Sequence, residues 1–263
     1  MGPKLLAEVA SQPQFVDAQH GWLYITRASG IGLYGTTDGG RHWRRLYARS
    51  SGAYHFFDRS NGVLFDADGW VEQTVDGGRT WDAVGLLPAF SDVSVAGMAF
   101  FGRSRQGVSL VWRPDGTGAV LLTDDAAHWR PAGRIPLLQP FSLAANSQVA
   151  LLVDGGAARM SPDGGRSWEP VDFRYFSPTS VVVEPTSVAV EGDSLVVGYS
   201  VSDDGVTWHQ EFPPLALGQF HHAVLFYATD GTPFVLDTFR LDQYPDTRLF
   251  VAGTGSWRPV KLP

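Results

Sequence analysis

Thr74-Val75-Asp76-Gly77-Gly78-Arg79-Thr80-Trp81 is the stretch whose reading decides the fold, because the chain repeats it. Thr36-Thr37-Asp38-Gly39-Gly40-Arg41-His42-Trp43 and Ser161-Pro162-Asp163-Gly164-Gly165-Arg166-Ser167-Trp168 are close copies. Weaker copies are Leu122-Thr123-Asp124-Asp125-Ala126-Ala127-His128-Trp129 and Val201-Ser202-Asp203-Asp204-Gly205-Val206-Thr207-Trp208. A worn copy, Ala252-Gly253-Thr254-Gly255-Ser256-Trp257, lies near the end. Asp-Gly between apolar runs is a hairpin signal, since the turn needs positive φ and Gly supplies it without steric cost. The Asp carboxylate accepts hydrogen bonds from backbone N–H groups a few residues on and locks the turn. A Trp at the start of the returning strand covers the hairpin, so the phrase reads as a self-contained staple.

The repeat tryptophans 43, 81, 129, 168, 208 and 257 recur at steps of 38 to 49 residues. That is the length of one four-stranded propeller blade. The expectation is an all-β, six-bladed β-propeller forming a single domain over 1–263. Each blade has four antiparallel strands, with the repeat hairpin between the third and fourth. The expected blades are about 5–49, 50–87, 88–136, 137–174, 175–213 and 214–263. Residues 4–10 read as a fourth strand on the outer edge of the last blade, closing the ring. Helical periodicity is not evident.

On these residues the chain resembles the Asp-box (BNR) repeat propellers of the sialidase-like superfamily. The motif there is Ser/Thr-x-Asp-x-Gly-x-Thr-Trp. The longer pattern, Phe15-Val16-Asp17-Ala18-Gln19-His20-Gly21-Trp22 leading into Gly32–Gly40, is most similar to the photosystem II assembly-factor branch. The resemblance implies a scaffold that binds a protein or a carbohydrate, or, in the sialidases, an enzyme. It implies that Asp38, Asp76, Asp124, Asp163 and Asp203 are structural, together with Trp43, Trp81, Trp129, Trp168, Trp208 and Trp257. It favours an extracytoplasmic location, although the opening Met1-Gly2-Pro3-Lys4-Leu5-Leu6 is too brief for a signal peptide.

Composition narrows the chemistry. Net charge is −7 and there is no cysteine among 263 residues. A uniformly basic nucleic-acid surface is not expected, and disulfides, thiolate catalysis and cysteine-ligated metals are excluded. No apolar run is long enough to span a membrane. The protein is expected to be a monomer without a cofactor.

Candidate sites fall into four groups. Gly30-Ile31-Gly32-Leu33-Tyr34-Gly35 matches the dinucleotide fingerprint in letters, but a hairpin follows where that site needs a helix. His221-His222 suggests a metal pair, yet adjacent strand residues point to opposite faces, so no metal site is expected. Asp66-Ala67-Asp68-Gly69 resembles part of a calcium loop that lacks its remaining ligands. The preferred ligand-binding set is Trp70, Asp66, Asp68, Arg113, Asp242 and Tyr244, around the turns between second and third strands, with Asp115, Asp154 and Asp246 nearby. An aromatic beside carboxylates and an arginine suits a sugar or a peptide, and equally an ordinary polar rim.

The enzymatic alternative is a glycoside hydrolase of sialidase type. The resemblance would then require an arginine triad and a Tyr–Glu nucleophile. Arg27 is the only arginine before the first repeat and lacks the Arg-Ile-Pro context, and Arg134-Ile135-Pro136 falls after the third repeat. None of Glu8, Glu72, Glu169, Glu184, Glu191 and Glu211 has a Tyr next to it in sequence. The expected function is therefore a non-catalytic binding or assembly scaffold.

Overall fold

The computed structural model describes residues 8–9, 13–27, 30–48, 51–88, 95–139, 141–155, 157–171, 178–183, 188–192, 199–202, 207, 209–211, 215, 223–241 and 244–263. The chain is an all-β propeller. Its first sheet holds β1 (Glu8–Val9), β2 (Gln14–Phe15), β3 (Gly21–Arg27), β4 (Gly30–Thr36) and β5 (Arg44–Tyr47). The next is β6 (Ser51–Phe56), β7 (Gly62–Asp66), β8 (Trp70–Thr74) and β9 (Asp82–Leu86). Then come β10 (Val95–Phe100), β11 (Gly107–Trp112), β12 (Thr117–Thr123) and β13 (Arg130–Pro136). β14 (Phe141–Ala145), β15 (Ala150–Asp154), β16 (Ala157–Ser161) and β17 (Glu169–Val171) follow. Another sheet is β18 (Pro178–Val183), β19 (Val188–Gly192), β20 (Tyr199–Ser202) and β21 (His209–Glu211). The last is β22 (Ala223–Tyr227), β23 (Pro233–Leu241), β24 (Tyr244–Ala252) and β25 (Trp257–Val260).

The expectation of six four-stranded blades is corrected. Five sheets are four-stranded blades, and the sheet at the start of the chain carries five strands instead. Both β1 and β2 pair with β3, Glu8 opposite Thr26 and Gln14 opposite Trp22. Seven-residue β3 is long enough to take two short partners end to end. Pro13 lies just before the second partner, and a proline has no N–H to donate to a ladder. The expected strand on the outer edge of the last blade is corrected too, since its tail, Glu8–Val9, belongs to the first sheet.

Burial explains the sequence pattern. β7, β11 and β15 are buried along their whole length or nearly so, because each sheet is covered on both faces by its neighbours. Hence these strands read as continuous apolar runs rather than alternations. β9 and β13 are largely exposed. The core therefore lies between sheets. Trp22 stacks on Phe56 of the next sheet at 3.6 Å, and Phe65 meets Trp129 edge-on at 5.2 Å.

The two ends of the chain meet. Phe15 stacks on Phe234 at 4.1 Å and leans on Phe226. Thr229 N–H donates to Phe15 O, and Trp43 Nε1–H donates to Lys261 O.

Candidate functional site

The repeat hairpins come first, because they consume most of the carboxylates that a site needs. In the second, the Thr74 hydroxyl donates to Asp76 and accepts from Gly78 N–H, both at 2.9 Å. Asp76 also accepts from Arg79 N–H, Thr80 N–H and the Thr80 hydroxyl. These donors, led by the Thr80 backbone, bring its pKa down to about 2. Ser161, Asp163 and Ser167 repeat the arrangement. So do Thr36 and Asp38, where His42 Nδ1 stands 2.6 Å from the carboxylate and the His42 backbone leads in holding its pKa down to about 2.

The third copy differs from the sequence expectation. Its turn is held by Asp125, which accepts from Thr123, Ala127 N–H and His128 N–H. Asp124 instead faces Arg130 at 3.2 Å on the surface. Asp203 and Trp208 lie outside the described residues. The tryptophans also do more than cover their own turn. Trp81 meets Tyr47 of the preceding sheet, Trp129 meets Phe65 of the preceding sheet, and Trp43 reaches Lys261 just past the last strand. The staple thus closes its own turn, with Trp81 Nε1–H donating to Gly78 O, and is an inter-sheet bridge as well.

A second set of turns was only half legible. Asp17, Asp58 and Asn146 each accept backbone N–H groups two and three residues on, in the turn between first and second strands. Asp17 is held well below the usual carboxylate range. Burial acts against this, but hydrogen bonds from His20, Gln19 and Arg59 outweigh it. The signal is Asp-x-x-His/Asn-Gly at 17–21 and 58–62. Gly77 N–H donates to Ser60 O, so these turns and the repeat hairpins share one end of the propeller.

The described members of the preferred ligand-binding set sit at the other end. Asp66 is buried and accepts Asp68 N–H and Trp70 N–H, which fixes the turn. Trp70 is 46% exposed, and its cross-strand partner Leu86 is 57% exposed. Asp68 is exposed and Arg113 half-buried. Asp242 lies outside the described residues, and Tyr244 opens β24 opposite Leu241. Asp154 is buried in an ion pair with Arg159 at 2.8 Å and accepts Leu138 N–H. Asp115 accepts both donors of Thr117. Of the set, the structure leaves Trp70 and Asp68 together at a rim and turns Asp66 inward.

Two cavities stand out. One, of about 290 Å3, lies where the ends of β2, β6, β10, β14 and β22 converge, at the repeat-hairpin end. It is lined by Phe15, Phe57, Met98, Phe100, Leu143 and Phe226, with Gln14, His55 and Arg103 among the polar groups. Gln14 accepts from Phe56 N–H at 2.7 Å and donates to Phe56 O, fastening the first sheet to the second. His55 is half-buried at the cavity wall, and desolvation pushes its pKa down to about 4. The other cavity, of about 270 Å3, lies between the first two repeat hairpins and is lined by Asp38, Asp76, Arg44, Arg59 and Arg79. Its two carboxylates are already occupied by turn donors, which disables them as an acid–base pair.

A Tyr next to a Glu does exist in space. Tyr47 lies near Glu72, but burial first, then the Glu72 and Asp66 carboxylates, push its hydroxyl far above the usual phenol range. That is the wrong direction for a nucleophile. The Gly30-x-Gly32-x-x-Gly35 stretch is strand β4, not the start of a helix. His221 and His222 lie outside the described residues. No group of three metal-ligating side chains occurs among the described residues, and no helix there is long and apolar enough to cross a membrane.

No protein-family model matches the chain, and no curated protein does either. Solved structures share the fold. YCF48 bound to D1 peptide is 17% identical, with TM-score 0.54 over 96% of this chain and 84% of that one. The SapL1 lectin in complex with alpha methyl fucoside is 11% identical, with TM-score 0.61 over 99% and 97%. An oligogalacturonate lyase from Vibrio parahaemolyticus is 9% identical, with TM-score 0.58 over 95% and 76%. The propeller is thus shared with binding proteins and with enzymes alike.

Proposed function

We propose that this protein is a non-catalytic binding or assembly scaffold that presents the Trp70 rim to a protein or glycan partner. The observation that carries this is the Trp70–Leu86 pair: two large apolar side chains on facing strands, both left in solvent. An exposed indole beside the exposed Asp68 has the composition of a recognition surface. The fold neighbours that bind a peptide and a fucoside support a binding role. The box-like repeat supports a place among Asp-box propellers of the assembly-factor type. Against catalysis stand the occupied turn carboxylates and the raised Tyr47 hydroxyl.

The test has two arms. Purified protein is screened on a glycan array and on immobilised extended peptides, then Trp70→Ala is screened identically. Loss of a central aromatic contact is expected to weaken binding by about 2 kcal/mol or more, roughly thirtyfold. In parallel, fluorogenic sialosides and glycosides are offered as substrates. Turnover above a heat-killed control, or binding indifferent to Trp70→Ala, rejects the proposal.

A further inference from the structure

The axial cavity lies at the opposite end from Trp70 and has its own chemistry. Its walls are Phe15, Phe57, Met98, Phe100, Leu143 and Phe226, drawn from the first strands, or the residues just after them, of five sheets. Among the described residues lining it, Arg103 is the single charged side chain and no carboxylate is present. Arg105, two residues on, lies over the Phe57 ring at 4.9 Å. The polar groups inside are positioned before any ligand arrives. The Gln14 amide is clamped on the Phe56 backbone, and its nitrogen is 3.3 Å from His55 Nδ1. His55 is held between Phe57 and Phe100, each ring centroid 4.8 Å away.

A dry apolar cavity of about 150 Å3 is enough to take benzene. This one is larger and has a guanidinium at its wall, so it suits a ring-sized apolar body that carries one negative charge. We propose that the axial cavity is a binding site for a small apolar carboxylate, with the ring among Phe57, Phe100, Met98 and Leu143 and the carboxylate on Arg103. A planar guanidinium matches a carboxylate in two-point geometry, which an amide of the same shape cannot reproduce. A divalent cation is a poor fit, since the described residues of the lining offer no anionic ligand. The site is independent of the Trp70 rim, and either can fail without the other.

The experiment is calorimetric titration of the intact protein with 3-phenylpropionate, 3-phenylpropanamide and N-acetylphenylalanine. Backbone NMR shifts of Phe57, Phe100 and Ala145 locate the ligand. The expected result is that at least one acid binds about tenfold or more tightly than the amide, the size of one charge-assisted hydrogen bond. Arg103→Gln, an exposed substitution, should abolish that preference while leaving the thermal midpoint unchanged. Tighter binding of N-acetylphenylalanine would mark the ligand as a chain terminus, and of 3-phenylpropionate as a free acid; both support the site. No binding of any probe at 10 mM (a concentration on the order of the weakest useful affinity), equal affinity for acid and amide, or shifts confined to Asp66–Trp70 would overturn it.

Discussion

The second and third repeat hairpins close the same kind of turn with different residues. The second has Gly77 and Gly78, both at positive φ, five positions from Asp to Trp, and Thr80 on the carboxylate. The third is one residue shorter between its working Asp125 and Trp129. Ala126 takes the place of Gly78, accepts φ of +66°, and donates its N–H to Thr123 as Gly78 does to Thr74. His128 replaces Thr80 at the carboxylate. What both keep is a hydroxyl, a carboxylate two residues on, and an indole that reaches the preceding sheet. The glycines are therefore the replaceable part, and the hydroxyl–carboxylate–indole set is the part that closes the turn.

The tryptophans should separate the two hairpins most. Trp129 is only 6% exposed and packs on Phe65 and Phe100, whereas Trp81 is half-buried. Trp129→Ala is expected to cost about 3–5 kcal/mol in urea unfolding, and Trp81→Ala clearly less. Equal losses would mean that the bridge between sheets does not depend on burial. The carboxylates come next. Asp125→Ala should cost roughly 1–3 kcal/mol by stranding its donors, while Asp124→Ala should stay within about 0.5 kcal/mol, as exposed ion pairs do. The reverse order would return the third hairpin to the register that its doubled Asp suggests.

Acid should sharpen the comparison further. A carboxylate held below its ordinary value stabilises the fold above that value and loses the contribution as pH falls through the folded pKa. For Asp76 the window runs from 3.8 down to about 2. Asp125 is held lower still, since burial opposes ionisation but His128 and the backbone donors outweigh it. On acidification the Gly78 amide should therefore lose exchange protection before the Ala126 amide. Simultaneous loss would show that His128 adds nothing over Thr80.

A swap at one position separates the hairpins last. Gly78→Ala puts a methyl 3.2–3.3 Å from Leu46, Phe56 and Trp81 at φ of +88° and should cost about 1–2 kcal/mol. Ala126→Gly relieves the same backbone strain but gives up a buried methyl, so the two terms nearly cancel at about 1 kcal/mol each. Thermal melts of the pair check this asymmetry.

The turn chemistry was legible because it is local: Asp76, Gly77 and Trp81 lie within one hairpin and carry their own geometry. The strand count of the first sheet was not, because it depends on where Glu8–Val9 finds a partner, and Thr26 is eighteen residues away. The register of the third hairpin was ambiguous because Asp124 and Asp125 are equivalent letters, and only the Thr123 hydroxyl distinguishes them. The exposed Trp70 was legible from its place beside the Asp66–Gly69 turn. The axial cavity was illegible, since its lining comes from five distant segments, each of which reads as an ordinary apolar strand end.

The seam between first and last sheets has one further implication. Among the described residues, Phe15, Trp43 and their partners hold it through ring faces and a few hydrogen bonds, and no strand pairs across from the first sheet to the last. A propeller latched in this way can spring open like a bracelet at its clasp, with every ladder intact. Mechanical pulling on the two termini should release that clasp first, at a force well below the one that shears a sheet.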